Sequence, residues 1–228
     1  MKNLLLFMFG IGFPLLLFAQ DNATSHPDNI RGGFYLKLGP VLPVGEYAKG
    51  QTIPFPKPPT ATQLNYLPAR IGAAMDLGFL IYVGPSFANN YLRAGIDATF
   101  LSFWFNSTRP PDKDNLIEKY YSFIGQKFGP VITINPIDRL MLDVSYKLNA
   151  NFAYHEEYTG WAPLSDGSTS EYGYNLVDNE VSLGIRYSIM LFAFQYNFGS
   201  MNYNNADKDN MEQKIKINTF RIMMGLKF

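Results

Sequence analysis

The chain has 228 residues, with 19 Lys and Arg against 19 Asp and Glu; 17% of residues are charged and 16% aromatic. Charge balance without a basic stripe excludes nucleic acid as a partner class. The absence of cysteine excludes disulfides, thiolate metal sites, a cysteine nucleophile and a lipid-modified N-terminal cysteine. Two histidines leave little room for a metal cluster, and no cofactor is expected.

Residues 1–19, MKNLLLFMFGIGFPLLLFA, place one Lys before an apolar run that ends at the small residue Ala19. This reads as a secretory signal peptide cut near Ala19 and Gln20, because the run falls short of the roughly 20 residues a spanning helix needs. Residues 20–32 form a polar lead that stays in the periplasm, and 33–228 form one domain.

From Gly33 onward the chain resolves into alternating segments: Gly33 to Val41, Arg70 to Val83, Tyr91 to Asn106, Lys119 to Ile134, Leu140 to His155, Asn179 to Tyr187, Met190 to Met201 and Ile217 to Phe228. The clearest is LMLDVSYKLNANFAY at 140–154, where Leu142, Val144, Tyr146, Leu148 and Phe152 share one parity and Asp143, Ser145, Lys147, Asn149 and Asn151 the other. That is the period-2 signature of a strand. The connections alternate between long stretches, the first Pro-rich, and short ones such as GPSFANN, NPIDR and YSIM. Eight strands in a meander then carry all long loops at one end, an asymmetry shared with transmembrane barrels. An eight-stranded soluble barrel also satisfies the connectivity, so the two faces must decide.

Charge and glycine share one face. Asp76, Arg93, Asp97 and Arg221 lie with Gly72, Gly78, Gly95, Gly184 and Gly225, whereas Ile71, Phe79, Leu92, Trp104, Phe192, Phe194, Ile222 and Phe228 lie opposite. An eight-stranded interior only just admits side chains, so the bulky face must point outward into lipid, with the glycines relieving crowding in the lumen. A closed barrel is the one sheet that satisfies every backbone donor in hydrocarbon. The expected fold is therefore all-β, an eight-stranded antiparallel up-and-down transmembrane β-barrel in the outer membrane.

Aromatic residues near strand ends fit interfacial belts, with Trp104, Phe105, Tyr120, Tyr121, Tyr154 and Tyr203 at the outer rim and Tyr91, Tyr187 and Phe228 at the inner one. Pro40 and Pro130 cannot donate to a ladder, so each predicts a bulge or an early strand end. In YYSFIGQKFGPVITI one parity would turn Ser122 and Gln126 outward with Ile132 and Ile134, which predicts a bulge near Gly125 or Gly129.

In this pattern the chain resembles the small eight-stranded outer-membrane barrels, the OmpX type and the OmpA transmembrane domain, and in size and leader style the PorT-like barrels. The most specific part is the C-terminal FRIMMGLKF, similar to the family's assembly signal of alternating hydrophobics ending in an aromatic residue. The resemblance implies insertion by the outer-membrane assembly machinery reading Phe220, Ile222, Met224, Leu226 and Phe228.

The same register assigns Lys37, Asp76, Arg93, Asp97, Asp143, Lys147, Glu180, Arg186 and Arg221 to a lumen charge network. Unpaired charges there would cost several kcal/mol each, so the near balance predicts pairing into a plug. The alternative is a narrow path for a proton, an ion or a small or apolar ligand. Catalysis is not expected: His155 has Glu156 and Glu157 beside it but no Ser at the His-x-Ser spacing of outer-membrane lipid hydrolases and deacylases, and NADKDN lacks a full calcium-loop pattern. The loops remain, with PFPKPP at 54–59 a polyproline II candidate and GWAPLSDGSTSEYGYN mixing Trp and Tyr with Ser, Gly and Asn as binding loops do. The expectation is a monomer among outer-membrane lipids. Its role is structural, adhesive or accessory to envelope machinery, engaging an extracellular or envelope protein through these loops.

Overall fold

The computed structural model describes residues 30–53, 64–66, 68–88, 90–108, 117–137, 139–159, 171–204 and 212–228. The signal-peptide segment, most of the polar lead and PFPKPP lie outside these residues.

In chain order the structure contains β1 (Gly33–Val44), the short helix α1 (Glu46–Lys49), β2 (Gln51–Ile53), β3 (Leu64–Tyr66), β4 (Ala69–Tyr82), β5 (Leu92–Thr108) and β6 (Ile117–Ile137). Then come β7 (Leu140–Thr159), β8 (Glu171–Tyr187), β9 (Met190–Phe198), β10 (Ser200–Asn204), β11 (Glu212–Lys216) and β12 (Asn218–Lys227). Antiparallel pairing runs β8-β7-β6-β5-β4-β1-β12-β9, and β8 also pairs with β9, which closes a ring of eight strands. β10 and β11 prolong β9 and β12 at the end where the long connections lie, and β2 and β3 pair as a hairpin inside the first of those connections. No sequence pattern announced that hairpin or α1. The short turns gather at the other, inner end, where β1 begins and β12 finishes.

Along β7 the alternation predicted from sequence holds: Tyr146, Leu148 and Phe152 point outward, Leu148 with 49% of its surface exposed, while Asp143, Ser145, Lys147, Asn149 and Asn151 are buried inside. β9 repeats it, with Phe192, Phe194 and Tyr196 outward and Leu191, Ala193, Gln195 and Asn197 inward. Large apolar side chains thus coat the outside of a closed ring and polar ones fill its axis. That inversion is stable only where hydrocarbon bathes the exterior.

Register shifts fall between Ala69 and Gly72, between Ile134 and Ile137 and between Asn149 and Asn151, and the one that changes which face residues take lies in β5. β5 carries an extra residue against both neighbours: Leu77 pairs with Leu101 but Gly78 with Thr99, and Thr99 pairs with Lys127 but Ser102 with Gly125. This bulge at Phe100 and Leu101 reverses the parity of the strand beyond it. Trp104 therefore turns inward and is buried, where a single parity had placed it in the outer aromatic belt. β6 needs no bulge at Gly125 or Gly129. Its pairing with β7 runs in one register from Ile117 to Ile134, with Tyr121 and Phe123 buried inside and Ser122 and Gln126 on the outer face. The belt assignment thus fails for Tyr121 as well, whereas Tyr187 and Phe228 are exposed at the inner end.

Neither proline ends its strand or shifts its register. Opposite Pro40 the pairing with β12 lapses between Leu38 and Val41 and resumes in the same register, and opposite Pro130 the pairing with β7 lapses between Phe128 and Val131 and does likewise. Each loses one ladder donor, and the closed ring holds the register across the gap.

Gly72 and Gly225 correct the reading of inward glycines as relief for lumen side chains. A Cβ at Gly72 would stand 1.6 Å from the carbonyl oxygen of Phe105, and one at Gly225 2.0 Å from that of Leu36. What they permit is the close approach of neighbouring strand backbones in a strongly coiled sheet. Gly78 does fit the original reading in part, since its Cβ would meet the Tyr35 hydroxyl at 2.4 Å.

Candidate functional site: the barrel lumen

Three layers fill the lumen, each set by where its residues fall along the strands. At mid-height, Glu180 on β8 bridges two lysines, Lys127 on β6 at 2.7 Å and Lys147 on β7 at 2.8 Å. Lys127 continues to Asp76 on β4 at 3.0 Å and Lys147 to Asp97 on β5 at 3.1 Å. One chain of ion pairs thus ties five adjacent strands together across the axis. Asp76 also accepts from Ser102 at 2.7 Å and from Gln195 at 3.1 Å, and the Tyr35 hydroxyl donates to Asp97 at 2.5 Å. Arg221 on β12 lies 4.0 Å from Asp76. With its amide turned to satisfy both ends, Asn197 donates to Glu180 at 3.0 Å and accepts from the Arg221 Nε at 3.3 Å. Lys37 is buried beside them, its Nζ 4.3 Å from the centroid of the Tyr35 ring.

Toward the inner end a second group stands apart. Arg186 donates to Asp143 at 2.5 and 2.8 Å and to the Tyr82 hydroxyl at 2.7 Å, while Thr133 donates to Asp143 at 2.5 Å. Leu80, Val131 and Leu191 pack with Tyr35 between this group and the central belt.

Toward the outer end an aromatic layer covers the belt, with Asn106, Thr108 and Asn151 also buried there. Trp104 stacks on Phe123, the Arg221 guanidinium covers Trp104 with its Cζ 4.7 Å from the ring centroid, and Val41, Ala74 and Ala153 surround them. α1 folds Tyr47 down into this layer, 6.0 Å from the Tyr121 ring, with its hydroxyl donating to Asn106 at 3.4 Å.

Eight of the nine residues assigned to the lumen from sequence, Lys37, Asp76, Asp97, Asp143, Lys147, Glu180, Arg186 and Arg221, are buried inside the barrel. Arg93 does not join them. It sits at the inner rim, donating to the carbonyls of Ile30 at 2.6 Å and Gly84 at 3.1 Å, because β5 has only just begun there. Sequence reasoning missed Lys127, which is central to the belt, and Asp178. The signal for Lys127 was its shared parity with Gly125, Gly129 and Thr133, concealed when a single parity for β6 was rejected. Among the described residues the buried charges are five cations (Lys37, Lys127, Lys147, Arg186, Arg221) and five anions (Asp76, Asp97, Asp143, Asp178, Glu180). His155 lies in β7, its backbone paired with Tyr121 and Glu171; its side chain, like those of Tyr120, Tyr154 and Tyr203, is outside the description. Among the described residues no group of His, Asp and Glu could hold a metal ion.

A closed ring of eight strands, greasy outside and charged within, decides the class. The chain is a small eight-stranded transmembrane β-barrel.

No protein-family model and no curated relative matches the barrel. Among solved structures it is similar in fold to Ail, the attachment invasion locus protein of Yersinia pestis, in complex with the heparin analogue sucrose octasulfate. That pair shares 14% identity at a TM-score of 0.48, over 87% of this chain and 100% of that one. It is also similar to the outer membrane protease OmpT of Escherichia coli, at 11% identity and a TM-score of 0.42, over 91% of this chain and 99% of that one. Likeness at this level is one of architecture.

Proposed function

We propose that the barrel is a plugged, non-enzymatic scaffold of the outer membrane. It works through its long external loops, as a structural or adhesive protein or as an accessory of envelope machinery. The observation that carries this reading is the central belt. Glu180, Lys127 and Lys147 have essentially no exposed side-chain surface and brace the strands against one another, and the Trp104 and Phe123 stack lies above them. Eight strands leave no aqueous channel of the kind seen near sixteen, and moving a solute would require parting buried ion pairs at several kcal/mol each. The partners this reading assigns are the surrounding lipids, the assembly machinery that recognises Phe220, Ile222, Met224, Leu226 and Phe228 on β12, and a protein bound by the external loops. The barrel itself is a monomer.

Planar-bilayer recording of the purified mature protein tests the reading. Silence over a range of voltages and salts is expected. Steady unitary conductance would replace the scaffold with a narrow transporter.

A further inference from the structure

Beyond β1 the chain enters α1, which turns back over the lumen at the long-loop end. α1 has four residues and no side-chain cap, and it is bounded by Gly45 at φ 63° and Gly50 at φ 81°, a backbone range that glycine adopts without strain. A Cβ at Gly45 would meet nothing closer than the Asn218 amide at 3.7 Å, so backbone conformation and not space calls for glycine there. The β2 and β3 hairpin that follows is a two-stranded sheet of its own, with no ladder to the barrel wall among the described residues. On the outside α1 is fastened by the ion pair of Glu46 with Lys216 at 3.1 Å, both side chains more than half exposed, and such a pair contributes little. What holds α1 down is the one side chain it buries, Tyr47.

That side chain fills a pocket whose polar end is fixed without it. Asn106 is fully buried, and its amide nitrogen donates to the carbonyl of Arg70 at 2.5 Å and to that of Val41 at 3.4 Å, which leaves Oδ1 for the Tyr47 hydroxyl. The hydroxyl reaches it only at 3.4 Å, well beyond the roughly 2.7–2.8 Å usual between a hydroxyl and an oxygen acceptor. Around the ring the pocket is aromatic and apolar: Tyr121 lies 6.0 Å from Tyr47, and Trp104, Phe123, Val41 and Ile217 belong to the same buried cluster. Tied to α1, the Tyr47 ring stops short of the acceptor. A phenol that is not part of the chain is free to approach Asn106 at the ordinary length.

We propose that this pocket is a binding site for a small molecule carrying a phenol ring, which enters from the long-loop end as α1 lifts on its two glycines, displaces the Tyr47 side chain and donates its hydroxyl to Asn106. The belt of Glu180, Lys127 and Lys147 beneath stays closed, so the ligand is held and not passed. The site goes beyond the scaffold reading and does not depend on it: bilayer conductance and phenol binding can fail independently.

The test is a fluorine NMR titration of the folded mature protein in non-ionic detergent with 4-fluorophenol, corrected for empty micelles, and with 4-fluorotoluene as the ring that lacks the hydroxyl. The unaltered protein should show one saturable site for 4-fluorophenol. Tyr47→Ala, which empties the pocket, should bind it about tenfold more tightly or better, because no resident ring has to be displaced first. In the same variant 4-fluorotoluene should bind about fivefold more weakly than the phenol, since it leaves the buried Asn106 oxygen unpaired. Glu46→Ala, which releases the exposed fastening of α1, should tighten 4-fluorophenol binding by about two- to fivefold. Heat-modifiable migration on a gel verifies folding, and if Tyr47→Ala fails to fold, Glu46→Ala and the comparison of the two probes on the unaltered protein decide the matter. Absence of a saturable site in the unaltered protein would overturn the proposal even if Tyr47→Ala bound the phenol, because the pocket would then be an artificial cavity. Unchanged affinity in Tyr47→Ala, or in Glu46→Ala where it stands alone, would overturn it by placing the phenol elsewhere, and equal binding of the two probes would overturn the phenol as the ligand class.

Discussion

Trp104 lies flat on Phe123 inside the barrel, the ring centroids 3.6 Å apart and the planes 6° from parallel. The contact exists because the bulge at Phe100 and Leu101 turns the outer half of β5 by one residue, so that an aromatic residue expected to meet lipid roofs the central belt instead.

That placement has a spectroscopic consequence. In a Trp161→Phe background Trp104 is the single tryptophan, since the chain has two. Its fluorescence in liposomes should resist quenching by lipids brominated along the acyl chain. Strong quenching would put the ring outside and remove the bulge.

The same stack predicts a stability cost. Trp104→Ala deletes a buried ring with Phe123 on one face and the Arg221 guanidinium on the other, and should destabilise the folded barrel by about 3–5 kcal/mol. Reversible urea unfolding in lipid vesicles reads the difference.

Glu180 offers a sharper contrast. Replacing it with Ala leaves Lys127 and Lys147 buried, each with one carboxylate fewer, and should cost about 3–5 kcal/mol, the range for breaking a buried pair. Glu46→Ala, which removes the exposed partner of Lys216 at 3.1 Å, should cost no more than about 1 kcal/mol. Equal effects of the two substitutions in the same unfolding assay would mean that the central belt is solvated.

On the lipid face, Leu148→Arg should destabilise the barrel by about 2–4 kcal/mol, the cost of a cation facing hydrocarbon near mid-depth. Arg at Lys216 in the same assay should change stability by less than about 0.5 kcal/mol, as a conservative change at an exposed site does. Vesicle unfolding titrations of the two variants compare them directly.

The strands and their faces were legible wherever one parity held, because a period of two in lipid is enforced by the cost of turning a charge outward. Along β7 every described residue from Met141 to Ala153 obeys that rule. The sequence was silent where local geometry overrides parity. An extra residue in β5 leaves no mark in its own composition, and it misplaced Trp104. β6 carries Gln126 outward and so looked irregular, although the pairing is regular and the polar side chain is simply tolerated; that hid Lys127. The β2–β3 hairpin and the insertion of Tyr47 depend on where the first loop lands on the barrel, which composition does not encode. Most of the charge belt was visible because charges buried within a membrane protein have to find partners, whereas Arg93 went astray because parity fixes a face and not a height along the axis.

The central claim is that hydrocarbon surrounds the apolar face of the barrel. The chain contains no cysteine, so single cysteines from Met141 to Phe152 on β7 can each carry a spin label in bilayers. Accessibility to dissolved oxygen should peak at Leu142, Val144, Tyr146, Leu148 and Ala150 and fall at Asp143, Ser145, Lys147 and Asn149. A flat profile, or one with the peaks on Asp143, Ser145 and Lys147, would contradict it.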